Sequence, residues 1–570
     1  MKKSTSIRFG VGAATVAMLL TACGSSSGDG STTGTKGGTL YILTQGEQIL
    51  HLDPQRNYTG EDLAFASGYL NRTLTQYTLS KDNATASKLV ADLATDTGTA
   101  SDGGKTWAFT IRDGVKWEDG KPVTCDDVKY GVSRTFASDI ITDGPSYAIS
   151  MLDIPKGADG SSSYPGPYKA DAAAQALYDA AVTCEGSKLT FHLASPSSDF
   201  NYTVTLSAFA PVRKDADTGE KYDDHVLSNG PYKIQSYVKK SKLVLVRNDQ
   251  WDPATDSLRP AYPDTIEYDF SLPADVITQR IMADAGNDSN AISPDGIVPT
   301  QLAAVFSDPK FEKRRLNDLD PYVRYYAINT KKVPNVKHRQ AILAAANREE
   351  LRKIAGGIYA GDFADGVVKP NIGVDYAPTG LWDTLLGDKV PVTGNPELAK
   401  KLIADSGEPF PNPLVVDYAK TPTNDKAISS LVASLALAGI TVKPNPLEPG
   451  GYYGVVLDPA KQGGMSAGGW APDWSNASTV LPELFTPSGG FNMSQYDDAA
   501  FNAEVAAAKA MTDRGEQAKA WQALSVKSMQ AALALPTRFG KEQRLQGSNV
   551  SGAYTWGPYG SYPYATLSVK

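Results

Sequence analysis

The stretch from Thr106 to Phe136, TWAFTIRDGVKWEDGKPVTCDDVKYGVSRTF, constrains the fold most. Trp107, Phe109 and Ile111 alternate with Thr106, Ala108, Thr110 and Arg112, a period of two that describes a strand with one heavily apolar face. Asp113-Gly114 and Glu118-Asp119-Gly120 punctuate it. Thr124 then stands as a helix N-cap with Asp127 at the capping-box position, and Val128, Val132 and Phe136 recur at helical spacing. Asp102-Gly103-Gly104, just before, reads as a hairpin turn. The same alternation continues along the chain. SKLTFHL (187–193) is a strand with His192 on its solvent side, and an Ala-rich amphipathic helix precedes it. SNGPYKIQSYVKKSKLVLVRNDQW is a strand pair entered through Gly230-Pro231, and PYVRYYAINTKK is extended. Asn335 and Asn347 cap short helices that stop at Gly356-Gly357. Two more helices follow in NPELAKKLIADSG and NDKAISSLVASLALAGI, then a strand at TVKP. Helices alternating with short strands predict α/β lobes, and 570 residues are too many for one core.

The first residues are set apart from that fold. Lys2, Lys3 and Arg8 form a basic start, and GVGAATVAMLL is an apolar run of eleven residues, too short to span a bilayer but suited to a signal-peptide core. It ends in Leu20-Thr21-Ala22-Cys23, which looks like a lipobox, the pattern in which Cys23 is lipidated and becomes the new N-terminus; an ordinary secretory signal with a chance cysteine is the alternative. Cleavage removes three cations and takes the formal charge from −8 to −11. Residues 23 to 38, CGSSSGDGSTTGTKGG, hold almost no apolar side chain and predict a flexible tether.

Several chemistries are disfavoured. The acidic balance and the lack of a basic stripe argue against nucleic acid. A G-x-S-x-G at Gly24 to Gly28 has no strand before it and no helix after it, so it is not a hydrolase elbow. GTASDGGKT misses the phosphate-loop spacing, because Gly98 stands one place too far from Lys105. His51, His192, His225 and His338 are scattered with no metal-ligand spacing, and no cofactor is expected. Cys125 and Cys184, an even pair in an exported chain, read as a disulfide, with two free buried thiols as the alternative.

GGWAPDWSNAST (468–479) puts a carboxylate, Asp473, between Trp470 and Trp474, stiffens it with Pro472 and precedes it with two glycines that let backbone approach closely. A buried strand excludes an unpaired charge and a surface loop dilutes it with Ser and Lys. Asp473 is therefore expected to be half-buried and to face something polar or cationic. The alternative is a loop Asp that caps a helix starting near residue 478.

These segments together resemble the family 5 solute-binding proteins of ABC importers, the oligopeptide, dipeptide and nickel-binding group, from about residue 38 to the end. The resemblance rests on ordered motifs: ILHLDPQ, WAFTIRDGVKWEDGKPVTCDDVKYGVSR, NGPYKI, VRNDQWDP, YYAINTKKVPNVKHRQAILAAANREEL and GGWAPDWSNAST. It implies a two-lobed, hinged α/β fold of the periplasmic-binding-protein type II class (cluster C), with a subdomain inserted in the first lobe. The boundaries expected are a signal peptide at 1–22, a tether at 23–38, lobe I at 39–75, its insertion at 76–225, lobe I again at 226–315, lobe II at 316–535 and a lobe I return at 536–570. Two crossing segments, near Leu316 to Tyr326 and near Pro536 to Leu545, make the hinge.

By the same resemblance, Trp470-Ala471-Pro472-Asp473 matches the W-x-x-D segment in which peptide-binding members pair an Asp with the ligand's α-ammonium, and Trp470 and Trp474 become apolar walls or core. Pro472 and the absence of a following D-P depart from the family pattern. The implied function is capture of peptides by a monomeric, non-enzymatic lipoprotein on the outer face of the cell membrane, which hands them to an ABC permease and its ATPase. Other readings are oligosaccharide binding, since 28 Tyr outnumber 16 Phe, a signalling receptor without a transport partner, and a secreted hydrolase. Nickel uptake is disfavoured by the sparse histidines.

Overall fold

The computed structural model describes residues 34–157 and 160–570. The signal peptide and the lipidation expected at Cys23 lie outside the described residues, as does most of the tether.

The opening stretch folds as its pattern dictates. Thr106–Thr110 is a strand whose Trp107 and Phe109 are buried, and it pairs antiparallel with Thr99–Ser101 and Lys188–His192 in a four-stranded sheet completed by Val182–Glu185. Helix Cys125–Arg134 opens on a full capping box between Thr124 and Asp127, and packs Val128 and Val132 against that sheet. Cys125 and Cys184 are disulfide-bonded with their Cα atoms 5.9 Å apart, so the helix start is clamped to the outermost strand. Closing a loop of that size removes unfolded-chain entropy equivalent to about 4 kcal/mol in the chain-entropy account.

Two larger sheets organise the rest. The first runs in the order Ala291–Ile292, Thr39–Leu43, Thr265–Asp269, Lys242–Arg247, Tyr232–Val238, with Thr39–Leu43 parallel to both of its neighbours. The second runs Gly361–Phe363, Ala534–Leu545, Arg315–Ile328, Met465–Trp470, Leu414–Ala419, Val442–Leu447. Each has its own apolar core. One core gathers residues from Leu40 to Phe270 together with Ile292, Trp474 and the segment Val550 to Val569; the other gathers residues from Val323 to Phe539. The result is a two-lobed α/β protein. The longest strands, Arg315–Ile328 and Ala534–Leu545, pair antiparallel, so that Arg315 and Leu545 lie beside the first body while Ile328 and Ala534 lie in the core of the second. Their register slips between Leu319 and Val323 and again between Arg324 and Tyr325.

The first lobe also holds a fully buried ion cluster. Asp92 takes the Arg72 Nε at 2.8 Å and the Arg259 Nη2 at 2.7 Å, and Arg259 also meets Asp256 at 3.1 Å. Remaining guanidinium protons go to the carbonyls of Asp92, Thr255 and Ser67. Three distant segments are thus tied at one point with every charge compensated, which is the condition for tolerating buried ions.

Candidate ligand-binding site

Between the two bodies lies a cavity of about 1000 Å³. Its first wall comes from Tyr58 to Glu61, Gly144 to Tyr147 and Tyr559; its second from Trp470 to Asp473, Glu483 and Phe491; the long paired strands supply Asp320, Tyr322, Arg324, Lys541 and Glu542.

Asp473 sits at the junction of these walls, half-buried, and the Oη–H groups of Tyr58 and Tyr147 donate to its Oδ1 at 2.6 Å and its Oδ2 at 2.5 Å. Burial lifts the Asp473 carboxyl above its usual pKa, against the pull of the Tyr147 and Tyr58 hydroxyls. Both phenols are raised in turn, first by burial and then by the Asp473 charge, so they stay donors. A carboxylate offers about four lone-pair sites, and two donors leave room for an ammonium. Local sequence explains the placement. Gly144 packs so closely on the Gln55 carbonyl that a Cβ there would meet it at 1.8 Å, which brings the start of helix Tyr147–Met151 against the segment that carries Tyr58. Asp473 is not a helix cap: the short 3-10 turn Ala477–Thr479 is capped by Asn476.

The two tryptophans part company. Trp470 ends its strand at the cavity, donates its Nε1–H to the Thr479 carbonyl at 2.8 Å and packs on Phe491 with ring centroids 4.8 Å apart. Of the two places expected for the tryptophans, wall or core, Trp474 takes the core and does not line the main cavity. It is buried in the first core, donates to Asp199 at 2.9 Å and meets Tyr147 edge-on at 4.9 Å. The chain crosses between the bodies at this point, so Trp474 plugs into the first while Asn476 and Ala477 bond to Gln517 and Asp375 in the second.

Sequence reasoning singled out neither Tyr58 and Tyr147 nor Arg324. Arg324 lies opposite Gly469 across the ladder, and a Cβ on Gly469 would come within 2.7 Å of its Nη1, so the glycine makes space for the guanidinium. Arg324 stacks over the Tyr322 ring at 4.4 Å, and among the described residues no carboxylate stands within ion-pair distance of it. The other cavity charges on the long strands are spent within the protein: Asp320 on Lys369 at 2.9 Å, Lys541 on Asp362 at 2.7 Å, Glu542 on Arg544 at 2.5 Å. Among the described residues Glu61, Asp473, Glu483 and Arg324 have no oppositely charged partner within ion-pair distance, so these leave the cavity three anionic groups against one cation. The described residues hold no grouping of three or more His, Cys, Asp or Glu suited to a metal.

Glu542 is pushed up to about 7, first by burial and then by Glu61, Asp320 and Asp295, with Arg544 pulling the other way. The folded protein therefore binds a proton at Glu542 that the unfolded chain has released, and the stability this represents is present below about pH 4.3 and lost as pH rises through about 7. Glu542→Gln leaves the buried Arg544 without its carboxylate, which shifts its stability at every pH, but it should lack the fall in stability that wild type shows between about pH 4.3 and 7, a difference in slope that calorimetry across this range reads directly; parallel pH profiles would disprove the assignment.

The sequence profile described as bacterial extracellular solute-binding proteins, family 5 Middle, matches residues 88–492. The chain belongs to this family. Among family 5 relatives, the periplasmic oligopeptide-binding protein OppA of Salmonella typhimurium is 26% identical over 436 residues, covering 70% of each chain. OppA of Bacillus subtilis (strain 168) is 29% identical over 260 residues, spanning 44% of this chain and 43% of that protein. Among solved structures, clavulanic acid biosynthesis oligopeptide binding protein 2 superposes with a TM-score of 0.82 at 27% identity, covering 94% of this chain and 96% of its own. These family 5 relatives are binding proteins for solutes, and the cavity between the lobes is where the fold leaves room for one.

Proposed function

We propose that this protein captures peptides in the cavity between its lobes, with the α-ammonium held by Asp473, and delivers them to an ABC permease and ATPase for import. The observation that carries the reading is the Asp473 carboxylate itself, half-buried, oriented by two tyrosine hydroxyls and facing a space large enough for a short peptide, with no cation among the described residues within ion-pair distance. Arg324 is the complementary feature, a cation without a carboxylate partner in the same space, suited to the opposite end of a zwitterion. The relatives named above are described as oligopeptide-binding proteins, which supports the same ligand class. Cargo that touches both walls favours a closed arrangement only by its differential affinity for closed over open. The basic start, apolar run and Cys23 support anchoring by lipid on the outer face of the membrane. No catalytic role is proposed.

The test is calorimetric titration with Ala-Ala-Ala in free, N-acetylated and C-amidated forms, beside cello- and manno-oligosaccharides. The free peptide is expected to bind, acetylation to weaken it by at least a hundredfold, and amidation by about tenfold through Arg324. Binding of a sugar but of no peptide would overturn the reading in favour of oligosaccharide capture.

A further inference from the structure

A second, smaller chamber of about 240 Å³ adjoins the ammonium end of the main cavity, and Tyr147 and Glu483 line both. Its other walls include the Trp474 ring, Met151, Pro196 and the hydroxyls of Ser150 and Ser478. Glu483 stands in the first turn of helix Leu481–Phe485, whose Leu481, Leu484 and Phe485 are buried in the second core, so its side chain is the one that turns toward the open space. One of its oxygens, Oε2, accepts from the Gly490 N–H at 3.0 Å, which fixes the carboxylate, and the other has no partner among the described residues. The chamber's second acid, Asp199, is already engaged by Trp474, Ser478 and Ser197. Its only lysine, Lys509, is exposed and forms no ion pair with Glu483.

We propose that Glu483 and this chamber form a selectivity subsite for a basic first residue in the cargo peptide. The proposal rests on the reading that Asp473 holds the α-ammonium, because that contact sets the first Cα beside Tyr147 and leaves its side chain at the mouth of the chamber. Lysine and arginine fit the lining in both parts. Their methylene stems lie along apolar surface such as Trp474 and Met151, and their charged heads reach a fixed carboxylate. Arginine matches a carboxylate with two parallel N–H donors and is expected to be the better ligand. The surplus of anionic over cationic groups in the main cavity acts in the same direction.

The experiment is calorimetric titration of the wild-type protein and of Glu483→Gln with Arg-Ala-Ala, Lys-Ala-Ala and Leu-Ala-Ala, with thermal melts to confirm that both proteins are folded. Wild type is expected to bind Arg-Ala-Ala at least tenfold more tightly than Leu-Ala-Ala, and Glu483→Gln to reduce that ratio to threefold or less. Equal affinities in wild type, or a preference that survives in Glu483→Gln, would overturn the subsite while leaving peptide capture intact. If none of the three peptides binds wild type, peptide capture itself fails and the subsite falls with it.

Discussion

Asp473→Asn is expected to cost peptide affinity by two to three decades while leaving the fold in place. Asparagine keeps the size of the side chain and an oxygen for one of the two tyrosine donors, Tyr58 or Tyr147. It removes the charge that compensates an ammonium enclosed between the lobes, and stranding one member of a buried pair costs about 3 to 5 kcal/mol. The loss should be specific. N-acetylated peptide, which has no ammonium, should bind wild type and variant equally weakly, so titration of both proteins with both peptides forms a cycle whose coupling isolates this contact. If Asp473→Asn binds free-amine peptide as wild type does, Asp473 does not hold the ammonium. Protonating Asp473 has the same effect as replacing it, so wild-type affinity should fall as pH drops through the raised pKa of this carboxyl.

Asp92→Asn should produce the largest loss of stability. Asp92 compensates Arg72 and Arg259 at once, and all three side chains are almost completely enclosed. Without its charge two guanidinium groups share only Asp256, and an uncompensated buried ion of this kind costs about 3 to 5 kcal/mol. Chemical denaturation should show a midpoint shifted to lower denaturant with an unchanged slope. A shift of under 1 kcal/mol would mean that the surrounding carbonyls alone satisfy the two arginines. Since Asp92 does not line the cavity, the peptide affinity of the surviving folded protein should hold, which separates this variant from Asp473→Asn.

The features legible in the sequence are those whose causes are local. The strand Thr106–Thr110, the capping box at Thr124 and Asp127, and the caps at Asn335 and Asn347 each follow from residues within a few positions of one another. Asp473 was conspicuous because a charge between two tryptophans is costly unless something answers it. What answers it was not legible: Tyr58 lies 415 residues away and Tyr147 lies 326 away, and no periodicity encodes such a meeting. The two glycines before Trp470 announced a close approach without naming the visitor, which is Arg324 at Gly469 through the strand register. Trp474 illustrates the opposite limit. It is as apolar and aromatic as Trp470, yet the chain passes from one body to the other between them and sends the two rings to different cores.

The slipped register of the two long strands has a mechanical meaning. Asp320, Pro321 and Tyr322 fall where the ladder is interrupted, and all three face the cavity. A backbone without cross-strand hydrogen bonds twists more easily than the paired stretches above and below it, so compliance concentrates at the height of the cavity. On the proposed motion, pivot and receptor are one piece of chain. On that reading a cargo that gripped Tyr322 or Arg324 would stiffen the joint by the same touch, and occupancy would be converted into shape without any relay in between.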